Sequence, residues 1–169
     1  MLKAAYIPSL SKDLKILIGL FLIVLSIGFY LGLGFVNHTT ENNPKGIIEN
    51  YNGNDMDENA DIMKFRKSKH EIYNILHTHF LSLSSIFFIL GLLTFGVPMK
   101  PSLRKFLMIE PTLSVLMTFG GIYFLWIGIE WMVYLVIFSG VLMTASYTLA
   151  VTLILIALIK GKQKLPKSG

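Results

Sequence analysis

The chain contains no cysteine. That absence removes disulfides, thiolate-bound zinc, iron–sulfur clusters and covalently attached c-type haem in one step. Charge is scarce too: Asp, Glu, Lys and Arg make up 15% of 169 residues, against about 25% in an ordinary soluble domain. No Ser/His/Asp set, no glycine-rich phosphate loop and no paired carboxylates are present to support catalysis. The chain is therefore not expected to be an enzyme. A formal net charge of +5 would suggest nucleic acid in a soluble protein. Here the basic residues crowd beside apolar runs, where they report membrane topology instead. No nucleic-acid partner is expected.

What is present is apolar: 53% of the residues are hydrophobic, and the mean hydropathy is +0.62. A bilayer core of about 30 Å is crossed by roughly 20 apolar helical residues. Four segments qualify, at about 16–36, 73–97, 106–127 and 132–159, and none has Lys or Arg in its interior. They predict an all-α integral membrane protein, a single membrane domain over 1–169. The expected architecture is a four-transmembrane-helix bundle of two hairpins with one polar outer loop at 37–71, and the lipid bilayer is its first partner. The first apolar run is too long for a secretory h-region and lacks a clean small-x-small cleavage site, so it reads as an uncleaved span.

Orientation follows from the placement of Lys and Arg. Lys3, Lys12 and Lys15, then Lys100, Arg104 and Lys105, then Lys160, Lys162, Lys164 and Lys167 all fall on one side of an even-numbered bundle. Both termini are therefore expected in the cytoplasm, in a multi-pass plasma-membrane protein. The long loop also holds Lys64, Arg66, Lys67 and Lys69, but its first half is acidic.

Two small-x-x-x-small patterns predict close helix contact: Gly28-x-x-x-Gly32, and Gly140-x-x-x-Thr144-x-x-x-Thr148. Glu110, Ser114, Thr118 and Gly121 fall on one stripe of the third span. Glu110 lies five residues beyond Lys105 and is followed by Pro111, which suits an early-turn carboxylate favoured by a helix N-terminus. The alternative reading is a proton-relay group.

All four histidines lie toward the outer face. His38 ends the first span, and His70, His77 and His79 open the second. Glu130 and Trp131 sit at the same face, in the turn between the third and fourth spans. Neutral imidazole is the commonest metal ligand and the usual axial ligand of haem, so haem b or a divalent metal is the cofactor this cluster would hold. At about 100° per residue, His77 and His79 point to opposite helix faces, whereas His70 and His77 share one. That shared stripe runs on through Tyr73, Asn74, Ser84, Ser85 and Gly91, and its polarity predicts that it faces the bundle. His77 is then the leading ligand, His38 its partner across the first hairpin, and His79 is turned to a neighbour or a headgroup. The competing reading needs no cofactor, because His, Tyr and Trp sit comfortably at a membrane interface.

In the loop, Ile47-Ile48 stands between turn-formers, and Asn52-Gly53 is a strong turn signal. Asp55, Asp57, Glu58 and Asp61 lack the register of an EF-hand and read as a solvated acidic stretch. The run Gly46-Ile47-Ile48-Glu49-Asn50-Tyr51-x-Gly53-Asn54 is followed by Met-x-Phe-x-Lys-Ser at Met63 to Ser68, by Glu71, and by His77-x-His79. This order resembles a family of small, uncharacterised bacterial inner-membrane proteins with four predicted spans, in which a G-x-x-E-x-Y-x-G-N loop leads into a T-H-x-H helix start. The resemblance is good over about 44–97 and elsewhere extends to hydropathy only. The family pattern has histidine where this chain has Asn50, and threonine where it has Leu76, which counts against a metal site in the loop. The resemblance implies that Glu49, Tyr51, Gly53, Lys67, Ser68, Glu71, His77 and His79 form one unit. It also implies that the loop folds back over the outer mouth, with Glu49 and Tyr51 near His77.

Three functions stay open on these residues. The first is a non-catalytic membrane subunit or assembly protein of a respiratory or redox complex, holding haem b or a metal at its outer face through His77, His38, His70 or His79. The second is a cofactor-free structural or interaction protein docking other membrane or periplasmic subunits. A small channel or transporter ranks last, since its expected pointers are broken helices and charged residues at mid-membrane, and the sequence offers neither.

Overall fold

The computed structural model describes residues 6–41, 43–55 and 62–160. Among the described residues there are five α-helices, a short 3-10 turn at Ile7–Ser9, and no strand. The helices are α1 (Lys12–Thr40), α2 (Pro44–Asn52), α3 (Lys69–Phe95), α4 (Pro101–Trp126) and α5 (Met132–Ile159). All except α2 are long and apolar enough to cross a bilayer. The protein is an all-α, multi-pass membrane protein.

Local chemistry sets the helix ends, and it moves two of them outward from the apolar runs. Ser68 caps α3 by accepting from the Glu71 N–H, while the Glu71 carboxylate accepts from the Ser68 N–H at 2.7 Å. This capping box starts the helix at Lys69, ahead of the first apolar residue. Pro101 opens α4, where the missing N–H is harmless. Glu110 therefore lies in the third turn of α4 and Pro111 inside the helix, which corrects the expectation of an early-turn carboxylate. The loop contains a helix of its own. Asn43 accepts from the Gly46 N–H at 2.7 Å, Pro44 follows, and Gly53 ends α2 with φ +80.

Helix α4 is the centre of the bundle, with α3 on one side and α5 on the other, both antiparallel to it. Thr118 and Ser139 share a 2.7 Å hydrogen bond across α4 and α5, and the His79 ring stacks on Phe119 across α3 and α4. Phe87, Leu90, Leu107, Val115, Tyr147 and Ile154 are buried between these three helices. Helix α1 lies against α5 and does not close a tight hairpin with α3. It is held through Ser26 to the Tyr147 hydroxyl at 3.0 Å, Tyr30 to Thr148 at 2.8 Å, and a Phe29–Tyr147 stack. Of α1, only Leu22 and Thr40 are buried.

The glycines that allow close approach are not those of the two small-x-x-x-small patterns but Gly91 and Gly121, from the stripes of α3 and α4. Gly28, Gly32 and Gly140 all face open space. Gly91 instead lies against the Met108 backbone, and a methyl group on Gly121 would come within 2.9 Å of the Val136 side chain. On α5, Thr144 and Thr148 each donate to the carbonyl four residues back, at 2.9 and 2.6 Å, and Thr148 also meets the Tyr30 hydroxyl of α1.

Candidate functional site

The long connection folds into a saddle, made of residues 43–55 and 62–68, across the ends of α1, α4 and α5. Four polar contacts strap it to α4. Asn52 Nδ2 donates to the Leu125 carbonyl at 2.9 Å, and Arg66 Nη2 to the Trp126 carbonyl at 2.6 Å. Trp126 Nε1 donates back to the Lys67 carbonyl at 2.8 Å, and the Arg66 guanidinium lies 5.2 Å from the Trp126 ring centre. The last carbonyls of a helix have no internal donor; Arg66 supplies one to Trp126, while the Leu125 carbonyl accepts from Asn52 in addition to the Gly128 N–H.

Within the saddle, α2 is tied to the returning segment. The Asn54 N–H donates to the Lys64 carbonyl at 2.8 Å, and the Lys64 N–H returns to Asn54 Oδ1 at 2.6 Å. The Lys67 N–H donates to the Tyr51 carbonyl at 3.0 Å. Gly53 sits where this crossing is tightest. A Cβ there would lie 2.6 Å from the Arg66 nitrogen and 2.9 Å from the Lys64 carbonyl oxygen. Lys64 Nζ bridges Glu41 at 3.4 Å and Glu49 at 3.7 Å, and Lys45 meets Glu49 at 3.5 Å.

Tyr51 packs against the hydrophobic core, and burial pushes its phenol pKa up to about 12. A raised tyrosine pKa means that the folded state holds its proton more tightly than the unfolded chain does. Its stabilising effect is fully present below the unfolded value near 10 and is lost as pH rises from about 10 to about 12. Saddle stability followed by protease resistance is expected to be flat up to about pH 10 and to fall through that window. Tyr51→Phe removes that share of the fall.

The histidines are placed differently from the expectation. His77 is exposed, and His79 is the half-buried one. The His79 ring lies 4.6 Å from Phe119 with an interplanar angle of 23°, and Nδ1 is 2.7 Å from the Ile75 carbonyl oxygen. Helix α3 turns its Ile72, Leu76, Leu83, Phe87 and Leu90 stripe inward. The Ser84–Ser85 side needs no inward partner, because Ser84 donates to the Phe80 carbonyl and Ser85 to the Leu81 carbonyl at 2.8 Å. His38 and His70 are also exposed, at the last turn of α1 and the first turn of α3. Among the described residues, no three His, Asp or Glu side chains come together in a metal-holding group. Glu71 is engaged in the α3 capping box, Glu49 with Lys45, Lys64 and Asn54, and Glu130 is exposed in the α4–α5 turn.

Sequence reasoning missed Asn52, Arg66 and Trp126, the residues that fasten the saddle. The signals for α2 were present: Asn-Pro at 43–44 is an N-cap followed by a first-turn proline, and Gly53 is a stop. Nothing in the sequence pairs Arg66 with Trp126, sixty residues away.

Compared with known protein families, residues 41–165 match Aq_1264_TM, described as a transmembrane helical domain. The chain belongs to this family. The matched stretch takes in the saddle and α3–α5, and α1 lies outside it. No curated protein and no solved structure matches the chain.

Proposed function

We propose that this Aq_1264_TM member is a cofactor-free interaction subunit of a bacterial plasma membrane, with both termini cytoplasmic and the saddle on the outer face. There the saddle docks another membrane or periplasmic protein. One observation carries this reading. Ile62, Met63 and Phe65 are 68%, 61% and 72% exposed on a segment whose backbone is bonded to α2 and strapped to α4. A loop free to collapse would tuck such side chains away, whereas this one holds them out, and exposed apolar clusters mark contact sites. The basic residues Lys12, Lys15, Lys100, Arg104, Lys105 and Lys160 gather at the opposite end, which supports the orientation. Exposed Tyr73, Trp131 and Tyr134 ring the saddle end, as aromatic belts do at a membrane–water boundary. The loop motif around Gly46 to Asn54, with its resemblance to bacterial inner-membrane proteins, supports the bacterial assignment.

The haem or metal reading asks for imidazoles on facing helices. His77 is exposed, and α1, which carries His38, lies against α5. The test joins two measurements on protein from native membranes. A photoreactive residue at position 65 is expected to crosslink to protein, while one at the lipid-facing position 31 crosslinks to lipid. The purified protein is expected to show no Soret absorption and no stoichiometric metal. Lipid-only crosslinks at 65 contradict docking, and a Soret band or bound metal lost in His77→Ala restores the cofactor reading.

A further inference from the structure

Glu110 is 6% exposed, and its Oε2 is buried without a hydrogen-bond partner among the described residues. Its other oxygen accepts from the Ser114 hydroxyl one turn on. Nine residues into α4, Glu110 stands about 14 Å along a helix nearly 40 Å long, well inside the hydrocarbon layer. Pro111 follows it, so the Leu107 carbonyl lacks its helical donor, and Leu107 and Pro111 are both buried. About two turns of α4 thus hold a carboxyl group with a vacant oxygen, a hydroxyl and a freed carbonyl, all enclosed by the bundle.

The Thr118–Ser139 bond fixes a register that sets Glu110 level with Tyr147 of α5, and the His79–Phe119 stack sets it level with the stretch of α3 near Leu90. From α3, residues 87–91 bring no titratable group. From α5 the titratable group is Tyr147, whose hydroxyl is hydrogen-bonded to Ser26 of α1, with Tyr30 of α1 beside it. On α4 itself the nearest cations are Arg104, stacked over Phe95, and exposed Lys105, more than one turn away. Among the described residues, no cation reaches the carboxyl group at hydrogen-bond range. A hard metal ion surrounds itself with about six oxygens, more than this turn supplies.

We propose that Glu110 is a protonation site in the membrane interior. The carboxylate takes one proton from hydronium, giving the neutral acid and water, and returns it by the reverse step. The Ser114 hydroxyl orients the group through Oε1 and leaves Oε2 as the oxygen that carries the proton. Ionisable residues enclosed among membrane helices mark ion pathways and proton relays.

The experiment treats native membranes with a hydrophobic carbodiimide, which reacts only with protonated carboxyl groups, and locates the adduct by peptide mass spectrometry. Modification is expected at Glu110, falling as the pH is raised, and lost in Glu110→Gln. Ser114→Ala is expected to keep the adduct while displacing its pH profile. In parallel, infrared difference spectra of the full chain are expected to show a carboxylic-acid carbonyl band that titrates with pH and is missing in Glu110→Gln. No adduct at Glu110 at any pH, a pH-independent adduct, or protection by sodium at constant pH overturns the proposal. An infrared band unchanged by Glu110→Gln overturns it equally.

Discussion

Gly46→Ala is expected to unseat the saddle while leaving the four spans in the membrane. Gly46 is buried where α2 turns against the end of α1, and a Cβ built on it would stand 2.0 Å from the Thr40 carbonyl oxygen and 2.7 Å from the carbonyl carbon. These are backbone atoms, so no side chain can swing aside. The turn has little slack. Glu41 already takes the left-handed conformation at φ 54, and the Asn43 N–H donates to the same Thr40 carbonyl at 3.2 Å. The cost is expected at about 3 kcal/mol, the upper end of overpacking, or roughly a hundredfold in the open population of the saddle. Tryptic cleavage at Lys64, Arg66, Lys67 and Lys69 reads that population directly. A rate within a few-fold of the native protein's would mean that α2 does not sit on α1 as described.

Trp126→Ala is expected to be comparably disruptive from the other side of the saddle. The indole donates to the Lys67 carbonyl and carries the Arg66 guanidinium over its ring. Truncating a tryptophan to alanine costs about 3–5 kcal/mol in a core, and Trp126 is half-buried, so about 3 kcal/mol is expected here. Trp126→Phe keeps an aromatic face for Arg66 and loses the N–H, at about 1 kcal/mol. Cleavage of the saddle should therefore rise about a hundredfold for alanine and several-fold for phenylalanine. The Arg66 bond to the Trp126 backbone carbonyl survives both changes. Equal effects from the two variants would remove the ring from the account and leave the N–H alone.

The four spans were legible because twenty consecutive apolar residues have few alternatives to crossing a membrane. Which face of each span turns inward was not, and α3 shows why. Polarity along the helix favoured the His77 side, yet serines that donate to their own backbone carry little demand for an inward place. The Leu, Ile and Phe stripe then decided the facing and brought in His79. The Gly28–Gly32 pattern misled in a related way: small residues permit close approach, but α1 has no neighbour on that side among the described residues. Glu110 was misplaced because hydropathy starts α4 at its first apolar residue, whereas Pro101 and its solvated first turn start it five residues sooner. The loop's fold was half legible, since Gly46 and Gly53 marked two positions where a Cβ does not fit. Its fastening to α4 depends on contacts between residues far apart in the chain, which no local pattern encodes.

The loop is a folded saddle fixed to α4. Hydrogen exchange of the full-length protein in membranes tests this most directly. The amides of Gly53, Asn54, Lys64 and Lys67 each donate within the saddle, and they are expected to exchange far more slowly than an open chain, with the protection lost in Gly46→Ala. Exchange of these four amides at open-chain rates in the native protein would contradict it.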